Sequence, residues 1–183
     1  MNEVGLKRIF IVGASGTGKS TLARMLGARL SLPVIHIDPF FFTEGWVQRP
    51  REETATLISK AIQAPEWVFE GNFSSSFDER AEAADLIVML EVGRYRRMWR
   101  VIWRTLRFYG RTRPDMAPGC PERFSLEFLL WVWSYESDRR DAMEELLANW
   151  ATRRPVLRLT SSREISEFVN NPSGYLYEHQ WIV

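Results

Sequence analysis

The stretch GASGTGKS, Gly13 to Ser20, constrains this chain more than any other. It sets three glycines, a lysine and three hydroxyl residues between a short apolar run, Ile9 to Val12, and an amphipathic one. Gly-x-x-x-x-Gly-Lys-Ser between a strand and a helix is the P-loop pattern. The glycines let backbone N–H groups turn inward around a phosphate, and the helix N-terminus adds partial positive charge. In that arrangement Lys19 reaches the outer phosphates and Ser20 places a hydroxyl on Mg²⁺. A chance glycine-rich turn rarely has both flanks right. ATP with Mg²⁺ is therefore expected on Gly13, Ser15, Gly16, Thr17, Gly18, Lys19, Ser20 and Thr21.

Around the loop, apolar runs alternate with helical patterns. Arg8 to Val12, Pro33 to Ile37, Trp67 to Phe69, Leu86 to Leu90 and Pro155 to Leu159 are brief and mostly β-branched or aromatic, as strands buried on both faces are. Leu22, Met25, Leu26, Arg29 and Leu30 keep helical spacing, Pro50 to Ala64 has a Pro-led start, and Arg94 to Tyr109 and Leu126 to Trp150 are longer helical stretches. This alternation implies right-handed crossovers and a parallel sheet, hence an α/β fold. Gly110 to Glu122, with three prolines and two glycines, breaks the pattern as a loop between helices.

Composition narrows the classes further. At 183 residues and 45% apolar content, the chain reads as one domain, residues 1–183, with an insertion at about 110–124 and a C-terminal tail at about 171–183. The tail is expected to add a strand or to meet a second subunit. Cys120 is the lone cysteine, which excludes intrachain disulfides and four-thiolate zinc sites and points to a reducing cytoplasm. No run approaches membrane-spanning length, so a soluble protein with no membrane partner is expected, as monomer or homodimer. Of 24 basic residues only Lys7, Lys19 and Lys60 are lysines. Genome composition and phosphate-gripping guanidinium forks both account for such a bias.

Ligands of a parallel sheet gather at the carboxyl ends of its strands. There the sequence places His36 and Asp38, then Glu70-Gly71-Asn72, then Glu91. A lone histidine in a strand reads as a core residue, and His36 is set aside.

The P-loop together with "IHIDPFFF", "GW", "FEGNFS" and "RTRPDMAPGCPERF" resembles the bacterial topology-modulation proteins, themselves similar to adenylate kinase and its small-kinase relatives. The likeness spans Ile9 to Thr160, and its last motif is the most particular. It implies a three-layer, adenylate-kinase-like P-loop NTPase fold with a five-stranded parallel sheet and a mobile lid whose arginines are Arg111, Arg113 and Arg123. Such lids close over phosphates and exclude water, favouring transfer over hydrolysis. It also implies that the helix after the lid returns Arg139 or Arg140 to the transferring group, and that Glu70 orients the metal through water. Nucleoside-monophosphate kinases carry a Pro-Arg after the third strand to hold the acceptor's phosphate. Glu70-Gly71-Asn72-Phe73-Ser74 has neither, so an AMP acceptor would need Arg49, Arg51 or Arg80. In outline the chain also resembles small-molecule kinases in which an aspartate after the second strand receives the acceptor's proton, the place of Asp38. The alternative for Asp38 is a helix or turn cap before Pro39.

Helical projection of Arg94 to Arg111 gathers Arg96, Arg100, Arg104, Arg107 and Arg111 on one face and Met98, Trp99, Ile102, Trp103 and Leu106 on another, read as an apolar back. The basic stripe is a solvated face, a wall of the phosphate site, or a nucleic-acid contact. The next helix is expected to pack through Leu126, Leu129, Leu130 and Trp133, with Trp131 and Trp150 as further packing. Two functions remain open. One is an ATP- and Mg²⁺-dependent phosphotransferase acting on a small-molecule acceptor, with Lys19, Asp38, Arg113, Arg123 and Arg140 as catalytic residues, Ser20 and Glu70 at the metal, and nucleotide hydrolysis as the lesser activity. The other is a nucleotide-binding regulator whose stripe meets DNA or a protein, a reading set second.

Overall fold

The computed structural model describes residues 5–179. Its elements are β1 (Arg8–Gly13), α1 (Lys19–Leu30), β2 (Val34–His36), α2 (Asp38–Phe41), β3 (Phe42–Thr43), β4 (Val47–Gln48), α3 (Arg51–Ala61), β5 (Trp67–Glu70), α4 (Phe77–Ala83), β6 (Leu86–Leu90), α5 (Arg94–Phe108), α6 (Leu126–Trp133), α7 (Tyr135–Asp138), α8 (Arg140–Ala151), β7 (Val156–Leu159), α9 (Ser162–Asn170) and α10 (Pro172–Glu178). Five strands form a parallel sheet in the order β2-β5-β1-β6-β7, and β3 and β4 make a small antiparallel hairpin.

Strand alternation builds the two cores. Ile9 and Ile11 face one side, packing with Leu22 and Leu26 of α1 and Phe168 of α9. Phe10 and Val12 face the other, against Ile58 of α3, Phe77 of α4 and Trp150 of α8. Helices therefore cover both faces of the sheet, giving the three-layer α/β fold with its five strands. Parallel registers set Gly13 beside Leu90 and Ile11 beside Glu70. The P-loop consequently leaves the sheet between the ends of β5 and β6.

Three expectations need correction. The stretch Leu126 to Trp150 is three helices, because the backbone leaves helical geometry at Ser134 (φ −78°, ψ 2°) and again at Arg139 (φ −136°, ψ −14°). The tail forms a helix where a strand was allowed: Asn171 accepts from Gly174 N (2.9 Å), with Pro172 at the first turn. Positions 180–183 of the tail lie outside the described residues. The apolar stripe of α5 also points outward. Trp99, Trp103 and Leu106 are exposed, as are Leu126 and Leu130, while α5 turns Arg97, Val101 and Thr105 inward. Periodicity identified an apolar face but not what it faces. Ser161 caps α9 in a capping box with Glu164.

Candidate functional site

A cavity of about 730 Å³ opens over the carboxyl ends of β1, β2 and β5. Ser15, Gly16, Thr17, Gly18, Lys19, Ser20 and Thr21 form its floor. The loop conformation belongs to its glycines: Gly13, Gly16 and Gly18 have φ of 144°, 83° and 103°. A Cβ at Gly16 would lie 2.7 Å from the Arg97 carbonyl oxygen, and one at Gly13 would lie 2.5 Å from that of Leu90. Gly13 itself stands behind the cavity, at the root of the loop. The Thr17 hydroxyl and the Lys19 ammonium both donate to Ala14 O (2.8 and 3.1 Å), folding the loop around an open centre. Burial pushes the Lys19 pKa down, and the nearby Glu70 and Asp38 charges pull against that. A cradle of positive-φ backbone with one buried ammonium fits a polyphosphate.

At the loop's helix end, the Ser20 hydroxyl donates to Glu70 Oε1 (2.9 Å), and His36 Nδ1 stands 2.7 Å from the same oxygen. His36, set aside as a core residue, is thus a neighbour of the candidate metal position. Among the described residues no cluster of three or more His, Cys, Asp or Glu side chains would hold a cation. Ser20 and Glu70 fit Mg²⁺, an ion that takes one or two protein oxygens together with phosphates and water.

Asn72 and Arg80, named from the sequence at a strand end and as a possible phosphate contact, instead hold the backbone around the P-loop. The Asn72 side chain brackets Gly13, accepting from its N–H (3.2 Å) and donating to its carbonyl (2.9 Å), and so ties β5 to the root of the P-loop. Arg80 is fully buried on α4 and donates to the carbonyls of Gly71 (2.6 Å), Phe73 (2.8 Å) and Ser76 (3.1 Å), with Phe10 beneath its guanidinium. Burial lowers its pKa to about 9, against the pull of Glu70. Asn72 meets Gly13 across 59 residues, whereas the carbonyls that Arg80 binds lie four to nine residues before it, in the turn that leads into α4.

The outer half of the cavity is made by side chains. Asp38 opens α2 without capping it and faces the cavity. Burial among protein groups raises its pKa, and the Glu70 charge raises it further. Arg113 is buried: Nη1 donates to Asp115 Oδ2 (2.7 Å), Nε lies 2.5 Å from Glu122 Oε1, and Nη2 lies 4.0 Å from Asp38 Oδ2. Arg104 Nε lies 3.2 Å from the same Glu122 oxygen, and burial together with the Arg113 charge lowers the Arg104 pKa. Burial alone would raise the Asp115 pKa, but the Arg113 guanidinium beside it holds it below the usual carboxylate range. Arg100 comes from the α5 stripe and donates to Thr17 O (2.8 Å). Arg100 and Arg104 thus wall the cavity, while Arg96, Arg107 and Arg111 are exposed.

Residues 109–125 bend back on themselves and lie against the β3–β4 hairpin. The bend is closed by Gly110 N→Glu122 O (2.9 Å) and Glu122 N→Arg111 O (3.0 Å). Met116, Ala117 and Cys120 pack on Phe42 and Trp46, Trp46 Nε1 donates to Pro121 O (2.9 Å), and the Cys120 thiol donates to Thr43 O (3.1 Å).

Not every expected site residue reaches the cavity. Arg123 lies over the Trp46 ring, 5.8 Å from its centroid, and is exposed. Arg140 turns toward Glu91 (3.7 Å) and lines a separate cavity of about 290 Å³ behind the P-loop, because the chain break at Arg139 redirects α8. Arg139 sits over Trp131, and Arg49 and Arg51 are engaged by Phe40 O and by Ser74. None of these five is positioned to meet a ligand in the main cavity, and Arg80 is spent on carbonyls. Trp131 lines the cavity where packing alone was expected, and Trp150 is buried as read.

No protein-family model and no curated relative matches the chain. The resemblance to topology-modulation proteins therefore rests on the quoted motifs alone. The fold, by contrast, has solved counterparts. Shikimate kinase from Acinetobacter baumannii, solved in complex with shikimate, superposes with a TM-score of 0.60 at 14% identity, covering 96% of each chain. Shikimate kinase from Bacteroides thetaiotaomicron gives 0.53 at 18% identity, covering 94% of this chain and 99% of its own. A gluconokinase from Sinorhizobium meliloti gives 0.54 at 17%, covering 94% and 93%. At these identities the likeness establishes the fold. Among the described residues, no helix is long and apolar enough to cross a membrane.

Proposed function

We propose that the protein is an ATP- and Mg²⁺-dependent phosphotransferase that moves the γ-phosphoryl group to a hydroxyl of a small acceptor. One observation carries this reading: Asp38, a carboxylate of raised pKa, faces the same cavity as the P-loop lysine. A hydrolase needs only to position water, whereas a carboxylate across from the phosphate cradle suits an acceptor hydroxyl that must lose its proton.

In this reading the backbone amides from Ser15 to Thr21 hold the polyphosphate, and Lys19 neutralises charge as it spreads over the transferring group. Mg²⁺, when bound, withdraws charge from the phosphate oxygens, with Ser20 beside it and Glu70 orienting its water. Arg104 and Arg113 line the path between the two halves, and Asp38 takes the hydroxyl proton. The 109–125 segment, lid-like in its place over the cavity, excludes water from the transfer.

The charges of the outer half narrow the acceptor. Arg113 is engaged by Asp115 and Glu122 and stands near Asp38, and Arg104 leans on the same Glu122. In the outer half Asp38 and Asp115 face Arg104 and Arg113, and both guanidinium groups are already held by the buried Glu122 behind them. An acidic acceptor would have to displace a buried carboxylate from its arginine, a costly exchange. The acceptor is accordingly an uncharged or cationic polyhydroxyl compound, unlike shikimate, the acid held by the Acinetobacter baumannii counterpart.

A matched set tests this: gluconate, glucitol and glucamine share a six-carbon skeleton and differ in charge. With Mg·ATP, γ-phosphate is expected to pass to glucitol or glucamine at least about tenfold more efficiently than to gluconate, the scale on which unpaired buried charges discriminate. Preference for gluconate would overturn the acceptor class, and release of free phosphate alone, unaffected by any hydroxyl compound, would overturn transfer itself.

A further inference from the structure

The apolar stripes of α5 and α6 are exposed on the same side of the molecule. Tyr95, Trp99, Trp103 and Leu106 on α5, with Leu130 and Trp133 on α6, each keep between 41% and 80% of their surface open. The helices run past one another in opposite directions: Tyr95 meets Trp133 (ring centroids 5.7 Å apart) at one end, and Arg104 lies over Phe128 (5.7 Å) at the other. Since Tyr95 and Trp133 belong to the two exposed stripes, the stripes join into one face. Trp99 and Trp103 stack on each other with planes 18° apart, presenting a flat aromatic surface.

These six residues leave roughly 850 Å² of surface in water, most of it apolar, where the largest patch of a monomer is ordinarily about 300–600 Å². A standard interface takes about 800 Å² from each partner. Tryptophan, tyrosine and leucine at the centre and arginine at the rim is also the composition of a protein–protein core, with lysine and aspartate absent.

We infer that this face is the interface of a homodimer, closed by a twofold axis that lays α5 of one copy over α6 of the other. The area is what a stable dimer requires, and two adjoining antiparallel helices present ridges that a second copy fills as a four-helix arrangement. The rim supports the pairing. Exposed Arg96 and Arg107 flank the stripe of α5 and exposed Glu127 flanks that of α6, so α5 laid on a partner's α6 meets the opposite sign. The dimer would brace the two helices between which residues 109–125 are strung.

Sedimentation velocity of the full chain across roughly 1 to 100 μM tests this. The expected species has twice the chain mass of 21.4 kDa. Trp99→Glu with Leu130→Glu should weaken association at least about tenfold, as charges in the centre of an interface do, with the circular dichroism spectrum and ATP binding unchanged. Val47→Glu, at an exposed apolar position on β4, should leave the dimer intact. A wild-type monomer at every concentration would overturn the inference, as would a dimer indifferent to the double variant. A monomer that binds phosphatidylglycerol vesicles or a single-stranded oligonucleotide through Trp99 would assign the face to that occupant instead. None of the substituted residues belongs to the proposed transfer machinery, so the result does not depend on the kinase reading.

Discussion

The two halves of the cavity are built from different materials. The inner half is backbone: seven consecutive residues, Ser15 to Thr21, supply its floor, the glycines at 13, 16 and 18 permit its shape, and Lys19 adds the charge. The outer half is side chain: Asp38, Arg104, Arg113, Asp115 and Glu122 come from α2, α5 and the 109–125 segment, and each is held by another of the set. A backbone cradle is broken by adding an atom, whereas a charge network is broken by removing one. In the proposed reading the contrast also separates what each half would recognise, a cradle of amides accepting any polyphosphate and the network selecting the acceptor.

The largest expected effect lies where the inner half depends on a side chain after all. Lys19→Ala should lower the transfer rate about a thousandfold while thermal unfolding stays cooperative, measured by single-turnover transfer from ATP. Full activity would remove Lys19 from the mechanism.

Asp38→Asn follows, with a loss of about a hundredfold in kcat, the ordinary scale for a general base. Its stability should move the other way. An acid whose folded pKa is raised holds its proton more tightly folded than unfolded, so stability falls as pH rises from 3.8 through the folded pKa, and the cost is complete above it. At neutral pH the variant should therefore unfold at a higher temperature than the parent. Transfer by the parent should rise with pH through an Asp38 pKa lying above 3.8, and a profile without that limb would assign the proton elsewhere.

Gly16→Ala sharpens the comparison from the other side. Its φ of 83° and the Arg97 carbonyl leave no room for a methyl group, so nucleotide affinity by calorimetry should fall about tenfold or more. The acceptor preference of whatever activity remains should be unchanged. Asp115→Asn is the smallest effect: ATP affinity intact, and gluconate gaining several-fold on glucitol as Arg113 is released. Asp115 has a lowered pKa, so the stability it contributes is present above the usual carboxylate range and is lost as pH falls through its folded value; the variant should lack that acid-labile part.

The same division governs what could be read in the sequence. Gly13 to Thr21 was legible because neighbouring residues make its contacts, and the five strands because each is one apolar run. Asp38 was legible as the end of a strand, although it opens a helix. By contrast, Asn72 clasps Gly13 from 59 positions away, and Arg113 is fixed by Glu122 across a bend. Nothing within a window of sequence encodes such pairs. Arg123 and Arg140 were drawn from motif position, and the chain turns both away from the cavity. The α5 and α6 stripes failed for a different reason: periodicity marks an apolar face whether a core or a second molecule covers it.

The most direct test of transfer follows the γ-phosphorus of Mg·ATP by ³¹P NMR in the presence of glucitol and glucamine. A phosphate-ester resonance that requires the hydroxyl compound and disappears in Lys19→Ala is the predicted result. Inorganic phosphate alone, appearing at the same rate with and without the hydroxyl compounds, would contradict it.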